Sequence, residues 1–401
     1  SRPASRVSRS GPVTSPFDLV LGGIPRFTAE APWARRLIER YARRLSPQTR
    51  MDVWARRPVV ADAAGTAPHV LVHADPEAYL PPAAAVRLLQ TLDRAPIAVP
   101  VTNEPWCEEA RFAPSFAYHT PSLLEEAAAQ IAAAAGAARP LREPRSPVFA
   151  ARREVLDSLD RDLPLDRVPE EAGRRGWEVV LEPASYLHRY GEMDGQARAD
   201  LAAKVPPGAR SVLDVGCSRG ETARLLRLAG VSRVVGIEPD PGDAAEAARV
   251  CDLVLPHALE AISEEFPEEF DAILFGDVLE HLPDPSDALA RVRPWLSPRG
   301  VVVASVPNLG HWSIVSELLE GRFDYIPYSI LSGTHIRFFT RATLTDLFEA
   351  CGYRVESIDG VTFPTSPAGA LRLEKLRRLP GASSDLEVVE FVAVARARSD
   401  E

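Results

Sequence analysis

The chain has 401 residues, 46% hydrophobic and 25% charged, the balance of an ordinary soluble globular protein and more chain than one core usually holds, so two domains are expected. A net charge of −10 speaks against a nucleic-acid binder that works by neutralising phosphates. The four cysteines, Cys107, Cys217, Cys251 and Cys351, lie far apart with no C-x-x-C pair, which argues against a zinc knuckle or a disulfide framework and fits a reducing, cytoplasmic compartment.

Residues 1–16 are polar, basic and rich in breakers, without the apolar centre of a signal peptide, and read as a disordered tail. A strand at Asp18–Leu21 then ends in Gly22-Gly23. A helix follows with Trp33, Leu37, Tyr41 and Leu45 on one face. Its arginines (Arg35, Arg36, Arg40, Arg43, Arg44) fall largely on the other faces, as a solvated surface or a phosphate-binding one. Strands are expected at Met51–Trp54 and at His69–Asp75. In the second of these His73 and Asp75 share a face, and with Glu77 they could hold a divalent cation. The helix Pro82–Leu92, the strand Ile97–Val101 and an alanine-rich helix at Glu125–Ala135, too short to cross a bilayer, continue an α/β alternation to a proline-rich connector at Arg139–Pro147.

The stretch HVLVHADPEAYLPPAAAVRLLQTL resembles a strand and helix of family-two-type glycosyltransferases, and SPVFAARREVLDSL and RRGWEVVLEPASYLHRYG are similar to later parts of that fold. The resemblance implies an Asp-x-Asp metal motif, but His73 stands at its first Asp. The acidic pair that supplies the family's base has no counterpart in Leu163–Glu171. Residues 17–186 are therefore expected to form a smaller, degenerate glycosyltransferase-like α/β domain, a scaffold or acceptor-docking module without sugar-nucleotide turnover, with an active transferase as the alternative.

From residue 187 to 401 a second domain is expected. A short helix (Gly195–Lys204) leads into strands at Ser211–Val215, Arg233–Ile237, Cys251–Leu255, Phe270–Phe275, Gly300–Ser305, Arg354–Ile358 and Val388–Ala395, with helices between them. That is a doubly wound, Rossmann-like sheet of seven strands, whose ligands bind at the carboxyl ends. The first of these strands runs into Gly216-Cys-Ser-Arg-Gly220, a turn that brings a ligand close to a helix N-terminus or is simply a buried tight turn. Glu238, some twenty residues on at the end of the next strand, can accept hydrogen bonds from both hydroxyls of a ribose. Asp214 departs from a pyrophosphate fingerprint and suits an ammonium group. A ligand with a nucleoside at one end and an amino acid at the other is S-adenosyl-L-methionine.

Five segments, SVLDVGCSRGETARLL, VVGIEPD, FDAILFGDVLEHLPDP, VVVASVPNLGHWSIVSELLEGRFDY and THIRFFTRATLTDLFEACGY, resemble in order the class I S-adenosylmethionine-dependent methyltransferases, best the bacterial subfamily associated with surface-polysaccharide glycosyltransferases. The resemblance implies that Asp214, Gly216, Cys217, Ser218 and Gly220 surround the methionine moiety. It implies further that Glu238 and Pro239 hold the ribose and flank the adenine, and that Gly276, Asp277 and Val278 lie beside the methyl group. His257 and Ala258 replace the subfamily's Gly-Asp at the adenine amine. Leu331-Ser-Gly-Thr-His335 replaces its Leu-Asp-Arg-Thr-His, so an acid near the acceptor is missing.

A sugar hydroxyl needs a base to give up its proton. His281, expected at the start of the helix after the fourth strand, is either that base or a residue shaping the pocket. His335 and Arg337 either touch the acceptor or pair structurally, and His311 and Asn308 are further candidates. The expected activity is O-methylation of a sugar, glycan or related small-molecule hydroxyl, with no resident metal, no nucleic-acid partner and no integral membrane segment. A natural-product amine, hydroxyl or carboxylate as acceptor, or a non-catalytic scaffold, are the alternatives.

Overall fold

The computed structural model describes residues 17–22, 50–54, 59–63, 65–75, 78–103, 108–112, 119–189, 197–262, 269–326 and 329–398. The expected tail, the arginine-bearing helix with Trp33 to Leu45, Glu77 and Cys107 lie outside these residues. The chain divides into two compact units, Ser1–Gly191 with Asp324–Pro327, and Glu192–Phe323 with Tyr328–Glu401.

The first unit is a mixed sheet flanked by helices. Its strands are β1 (Phe17–Gly22), β2 (Arg50–Trp54), β3 (His69–His73), β4 (Ala78–Tyr79), β5 (Ile97–Thr102), β6 (Arg139–Pro140), β7 (Val148–Arg152) and β8 (Val179–Arg189), in the order β2-β1-β3-β7-β5-β8-β4, with β6 on β8. All six residues of β5 are buried, and a strand covered on both faces needs a continuous apolar run. Helix α1 (Pro82–Thr91) begins with proline at its first position. Helix α2 (Pro121–Ala134) is capped by Thr120, whose side chain accepts from the Leu123 N–H. Short helices α3 (Arg153–Asp157) and α4 (Val168–Arg174) follow. Leu19, Leu71, Leu80, Leu88, Val148 and Leu187 lie in the core.

Two expectations shift here. Strand β3 stops at His73, because Asp75 leaves the ladder to pair with Arg189 at 2.6 Å. The proline-rich connector contains β6, whose Arg139 and Pro140 pair with Leu181 and Val180.

The second unit contains α5 (Ala199–Ala202), β9 (Ser211–Val215), α6 (Glu221–Leu228), β10 (Arg233–Ile237), α7 (Pro241–Ala247), β11 (Leu253–Leu255), β12 (Phe270–Gly276), α8 (Pro285–Val292), β13 (Leu296–Pro307), α9 (Trp312–Leu319), α10 (Arg341–Ala350), β14 (Tyr353–Val361), α11 (Pro367–Arg377) and β15 (Glu390–Ala397). Its seven strands run β11-β10-β9-β12-β13-β15-β14. The first five are parallel, and β15 is antiparallel to both its neighbours. The winding reverses between β9 and β12, so the crevice at their carboxyl ends is where a ligand belongs.

The α/β, seven-stranded expectation is met, with local corrections. The helix expected over 195–204 is only α5, because Arg198 leaves helical geometry (φ −86°, ψ 78°) and gives its N–H to Thr222 Oγ1 at 3.1 Å. Strand β11 starts two residues later than expected. His281 does not open a helix: it closes a 3-10 turn at Leu279–His281, and α8 waits until Pro285. Pro283 is the reason, since it forces Leu282 before it into extended geometry (φ −82°, ψ 136°), after which Asp284 caps α8 from its own side chain.

Candidate active site

The buried run of β9 ends at Asp214-Val215 and turns through Gly216, whose φ of +73° suits a residue without a side chain. Space is as tight as the dihedral: a methyl on Gly216 would lie 2.6 Å from Val278 Cγ2, so the turn is pressed against the chain leaving β12. The N–H groups of Gly216 and Cys217 both point to the Ile237 carbonyl, at 2.8 and 3.2 Å, which stitches the turn to β10. Gly220, with φ of +80°, stands before the first turn of α6. Cys217 is buried, and a methyl on Gly236 would strike its Sγ at 2.4 Å. Gly236 was not among the expected site residues; a glycine inside a buried strand is the signal of such a close approach.

Glu238 ties the two strand ends together. One carboxylate oxygen accepts from Ser218 N and the other from Asp240 N, each at 2.9 Å. Each oxygen keeps a lone pair for a further donor. Burial raises its pKa while these two N–H groups oppose the shift. Asp214 is only 5% exposed, and no hydrogen bond reaches its carboxylate from the described residues. Burial first, then the neighbouring Glu238 charge, push it up to about 7, against the pull of Arg198. A shielded carboxylate without a donor asks for a cationic ligand group, and a second one with spare lone pairs asks for hydroxyls. The residues therefore fit an aminoacyl-nucleoside cofactor. On the nucleoside side Pro239, His257 and Ala258 are exposed, and the His257 N–H folds back to the Leu255 carbonyl.

At the end of β12, Asp277 adopts φ of +54° and is pinned by Ser305 of β13, which accepts from its N–H (3.0 Å) and donates to its Oδ1 (2.8 Å). Its other oxygen meets Arg198, which also bonds Asp200 at 2.7 Å and Glu390. Burial works against the Arg198 cation, yet these three acids hold it firmly protonated. Glu390, raised to about 8 by burial and then by Asp277, belongs to the same knot. Arg198 and Glu390 escaped the sequence reading because 192 residues separate them.

Beyond Asp277 the chain makes the turn Leu279–His281. Glu280 is 1% exposed, and both its carboxylate oxygens are shielded with no hydrogen-bond partner among the described residues. Burial and the Asp277 charge raise its pKa well above the usual range. Its carbonyl accepts the N–H groups of Ile336 and Arg337 at 2.9 and 3.0 Å, docking the later loop onto this turn. That docking brings together two expected residues, His281 and His335, whose rings meet edge to face with centroids 4.9 Å apart. Nδ1 of His281 lies 3.2 Å from the Thr334 carbonyl, and Nδ1 of His335 lies 3.0 Å from the Ile330 carbonyl. A carbonyl only accepts, so in both rings the proton sits on Nδ1. Burial and then the His281 charge lower His335 to about 4, keeping it neutral at pH 7.

The other candidates have structural duties. The Arg337 guanidinium donates to the Pro283 and Ile336 carbonyls. Asn308 is buried and spends its amide on the Asp385 and Val388 carbonyls and the Gly310 N–H. His311 caps α9 through Ser313. Glu280, by contrast, was missed. Its signal was an acid beside a histidine in a strand-end turn, hidden because the segment read as the start of a helix.

A family model described as a methyltransferase domain matches residues 186–358. Among curated relatives, the ubiquinone biosynthesis O-methyltransferase of Pseudomonas putida (strain W619) is 31% identical over 170 residues, 40% of this chain and 71% of that protein. The protein of the same name from Pseudomonas syringae pv. tomato is 31% identical over 181 residues, covering 41% and 71%. A solved S-adenosylmethionine-dependent methyltransferase from Archaeoglobus fulgidus shares 18% identity with a TM-score of 0.37, over 51% of this chain and 97% of that one. No helix among the described residues is long and apolar enough to cross a membrane.

Proposed function

This chain belongs to the class I S-adenosylmethionine-dependent methyltransferases, and from that premise we propose that it methylates a hydroxyl oxygen of a small molecule, in the first instance a sugar or glycan precursor. S-adenosyl-L-methionine supplies a methyl group on a sulfonium already activated for departure. The protein's task is to align an acceptor with it and remove a proton. In this reading Asp214 receives the ammonium group and Glu238 the ribose hydroxyls. Gly216, Cys217, Ser218 and Gly220 line the methionine end, Pro239, His257 and Ala258 the adenine end. Gly276, Asp277 and Val278 run beside the methyl group. The two names that specify O-methyl transfer in relatives support oxygen as the acceptor atom.

The observation that carries the proposal is the pair His281 and His335 at the strand-end turn, their rings in edge-to-face contact and Nδ1 of each bonded to a carbonyl, the tautomer in which Nε2 is the basic nitrogen. Replacing the true base, His281→Ala or His335→Ala, is expected to lower turnover about 10²- to 10⁴-fold. Affinity for S-adenosylhomocysteine should stay within a factor of a few. Full turnover in both single variants would sink the assignment.

The first unit is read as a glycosyltransferase-like scaffold or acceptor-docking module. The carboxylate of Asp75, at the second position of the eroded metal motif, is engaged by Arg189, which supports loss of sugar-nucleotide chemistry. Manganese-dependent hydrolysis of a nucleotide-sugar that vanishes in Asp75→Ala would overturn that reading.

A further inference from the structure

We propose that the first unit holds a binding site for an acidic carbohydrate, a sugar bearing one carboxylate or phosphate group, in the cavity at the amino ends of β3 and β8. The cavity measures about 750 Å³, a volume typical of small-ligand sites, and buried Leu89, Ala95 and Val180 give it an apolar part. His69, the first residue of β3, lines it. The eroded metal motif, His73 and Asp75, stands at the other end of that strand, so the cavity is separate from the place where such a motif would bind a metal.

Arg87 calls for an anion. It lines the cavity from α1, yet its Nη1 is shut off from solvent and has no acceptor among the described residues. A guanidinium so placed lacks a counter-charge, which a carboxylate or phosphate supplies with matching geometry.

The other groups call for hydroxyls. Glu182 is held in place, since one oxygen accepts from the Thr91 hydroxyl at 2.7 Å and the other from the Ala184 N–H at 3.0 Å, and each keeps a lone pair for a sugar hydroxyl. Burial, helped by Arg152, lowers the pKa of His69 against the pull of Asp93, so at pH 7 the ring is neutral and can both donate and accept. The side chains of Gln90, Asp93 and Glu178 are exposed around the cavity and bond to no other described residue.

The balance of these groups selects the ligand. Three carboxylates, Asp93, Glu178 and Glu182, face two guanidinium groups, Arg87 and Arg94, so a bare phosphate or a polyanion is repelled. A neutral sugar leaves Arg87 without its counter-charge. No Phe, Tyr or Trp among the described residues lines the cavity, so a nucleobase has nothing to stack on.

The role of the site rests on reading the first unit as an acceptor-docking module, whereas the site itself does not. A glycan held here by one acidic residue presents its other hydroxyls at a raised effective concentration to the methyltransferase unit of the same chain.

The test is saturation-transfer NMR on the full chain, without cofactor, using glucuronate, glucose 6-phosphate and glucose as probes and inorganic phosphate as competitor. Transfer to at least one acidic sugar is expected, and neither glucose nor phosphate should displace it at equal concentration. Two variants locate the site. Gly136→Trp blocks the cavity, because Gly136 lines it and a Cβ there meets nothing within 4 Å, so the added ring finds open space. Arg87→Met keeps the stem and removes the charge. Each should weaken binding at least ~10-fold while affinity for S-adenosylhomocysteine is unchanged. Should Arg87→Met fold poorly, Gly136→Trp decides. No binding of either acidic sugar by the parent, or unchanged affinity in the folded variants, would overturn the site. Equal binding of glucose, or displacement by phosphate alone, would overturn the ligand class. A chain that binds an acidic sugar but not S-adenosylhomocysteine would break the methyl-transfer reading and leave the site standing. An acidic glycan that is methylated equally well by the parent and by Gly136→Trp would remove the docking role alone.

Discussion

Two buried acids of the first unit and two of the second are treated in opposite ways. In the first, Asp18 is bound by Arg153, whose guanidinium also reaches the Ala63 and Ala67 carbonyls, and Asp75 is bound by Arg189. In the second, Asp214 and Glu280 lie equally deep, yet among the described residues no arginine or N–H group closes on their carboxylates. The chain has basic residues in plenty, 46 in all, so scarcity does not explain the difference. A buried acid with an internal partner is a strut. One without a partner raises the energy of the ligand-free fold, and that cost is recovered when a complementary group arrives. Solvent-shielded carboxylates without donors thus mark where the molecule expects something it does not itself contain.

The contrast is tested most strongly by neutralising one acid of each kind. Asp75→Asn takes the carboxylate away from the partly buried Arg189, and should destabilise the protein by about 3 kcal/mol. Asp214→Asn should do the reverse in the absence of ligand, raising stability by about 1 to 2 kcal/mol because it removes a shielded charge facing Glu238. Calorimetric melting of both variants reads the two signs, and equal destabilisation by both would remove the distinction. The same logic sets a pH dependence. The Asp214 carboxyl rises from 3.8 to about 7 on folding, so its favourable contribution is complete below pH 4 and is lost as the pH climbs to about 7.

Cofactor affinity should move the other way with pH. An ammonium group binds the ionised form of Asp214, so affinity for S-adenosylhomocysteine should weaken up to about tenfold for each unit below pH 7. Asp214→Asn should flatten that profile, and a profile already flat in the parent would remove the ammonium role. A further prediction concerns the turn itself. Gly216→Ala forces a side chain into φ of +73° and against Val278, at a cost of about 1–3 kcal/mol, with a lower melting temperature and weaker cofactor binding. Val278→Ala in the same chain should recover part of the loss by removing the clash.

What was legible in the sequence follows from how local each determinant is. Strands β9 and β10 begin and end where the apolar runs of Ser211–Val215 and Arg233–Ile237 do, since a buried strand bounded by glycine or proline carries its own limits. The glycine turn and Glu238 were readable because their spacing along the chain mirrors adjacency in a parallel sheet, where neighbouring strand ends come together. His281 was placed at a helix start because Leu279 and Glu280 continue a plausible helical face. Pro283 and Pro285 override that face, and their effect on Leu282 was the available clue. Glu280 and Arg198 stayed hidden for another reason. Each matters through partners brought to it by the fold, Ile336 and Arg337 to the one, Asp277 and Glu390 to the other, and no periodicity records such meetings.

The position of β15 carries a consequence for biosynthesis. It is the last strand among the described residues but lies between β13 and β14, pairing with both. While the chain is being made, β13 and β14 have no partner for the edges that will face each other. Val302, Val303 and Ala304 then present an apolar strand border of the kind that recruits other chains. Only when residues 390–397 leave the ribosome can that gap be filled, and the same event delivers Glu390 to Arg198 beside Asp277. The sheet therefore closes and Glu390 reaches Arg198 in one step, which waits for the synthesis of β15.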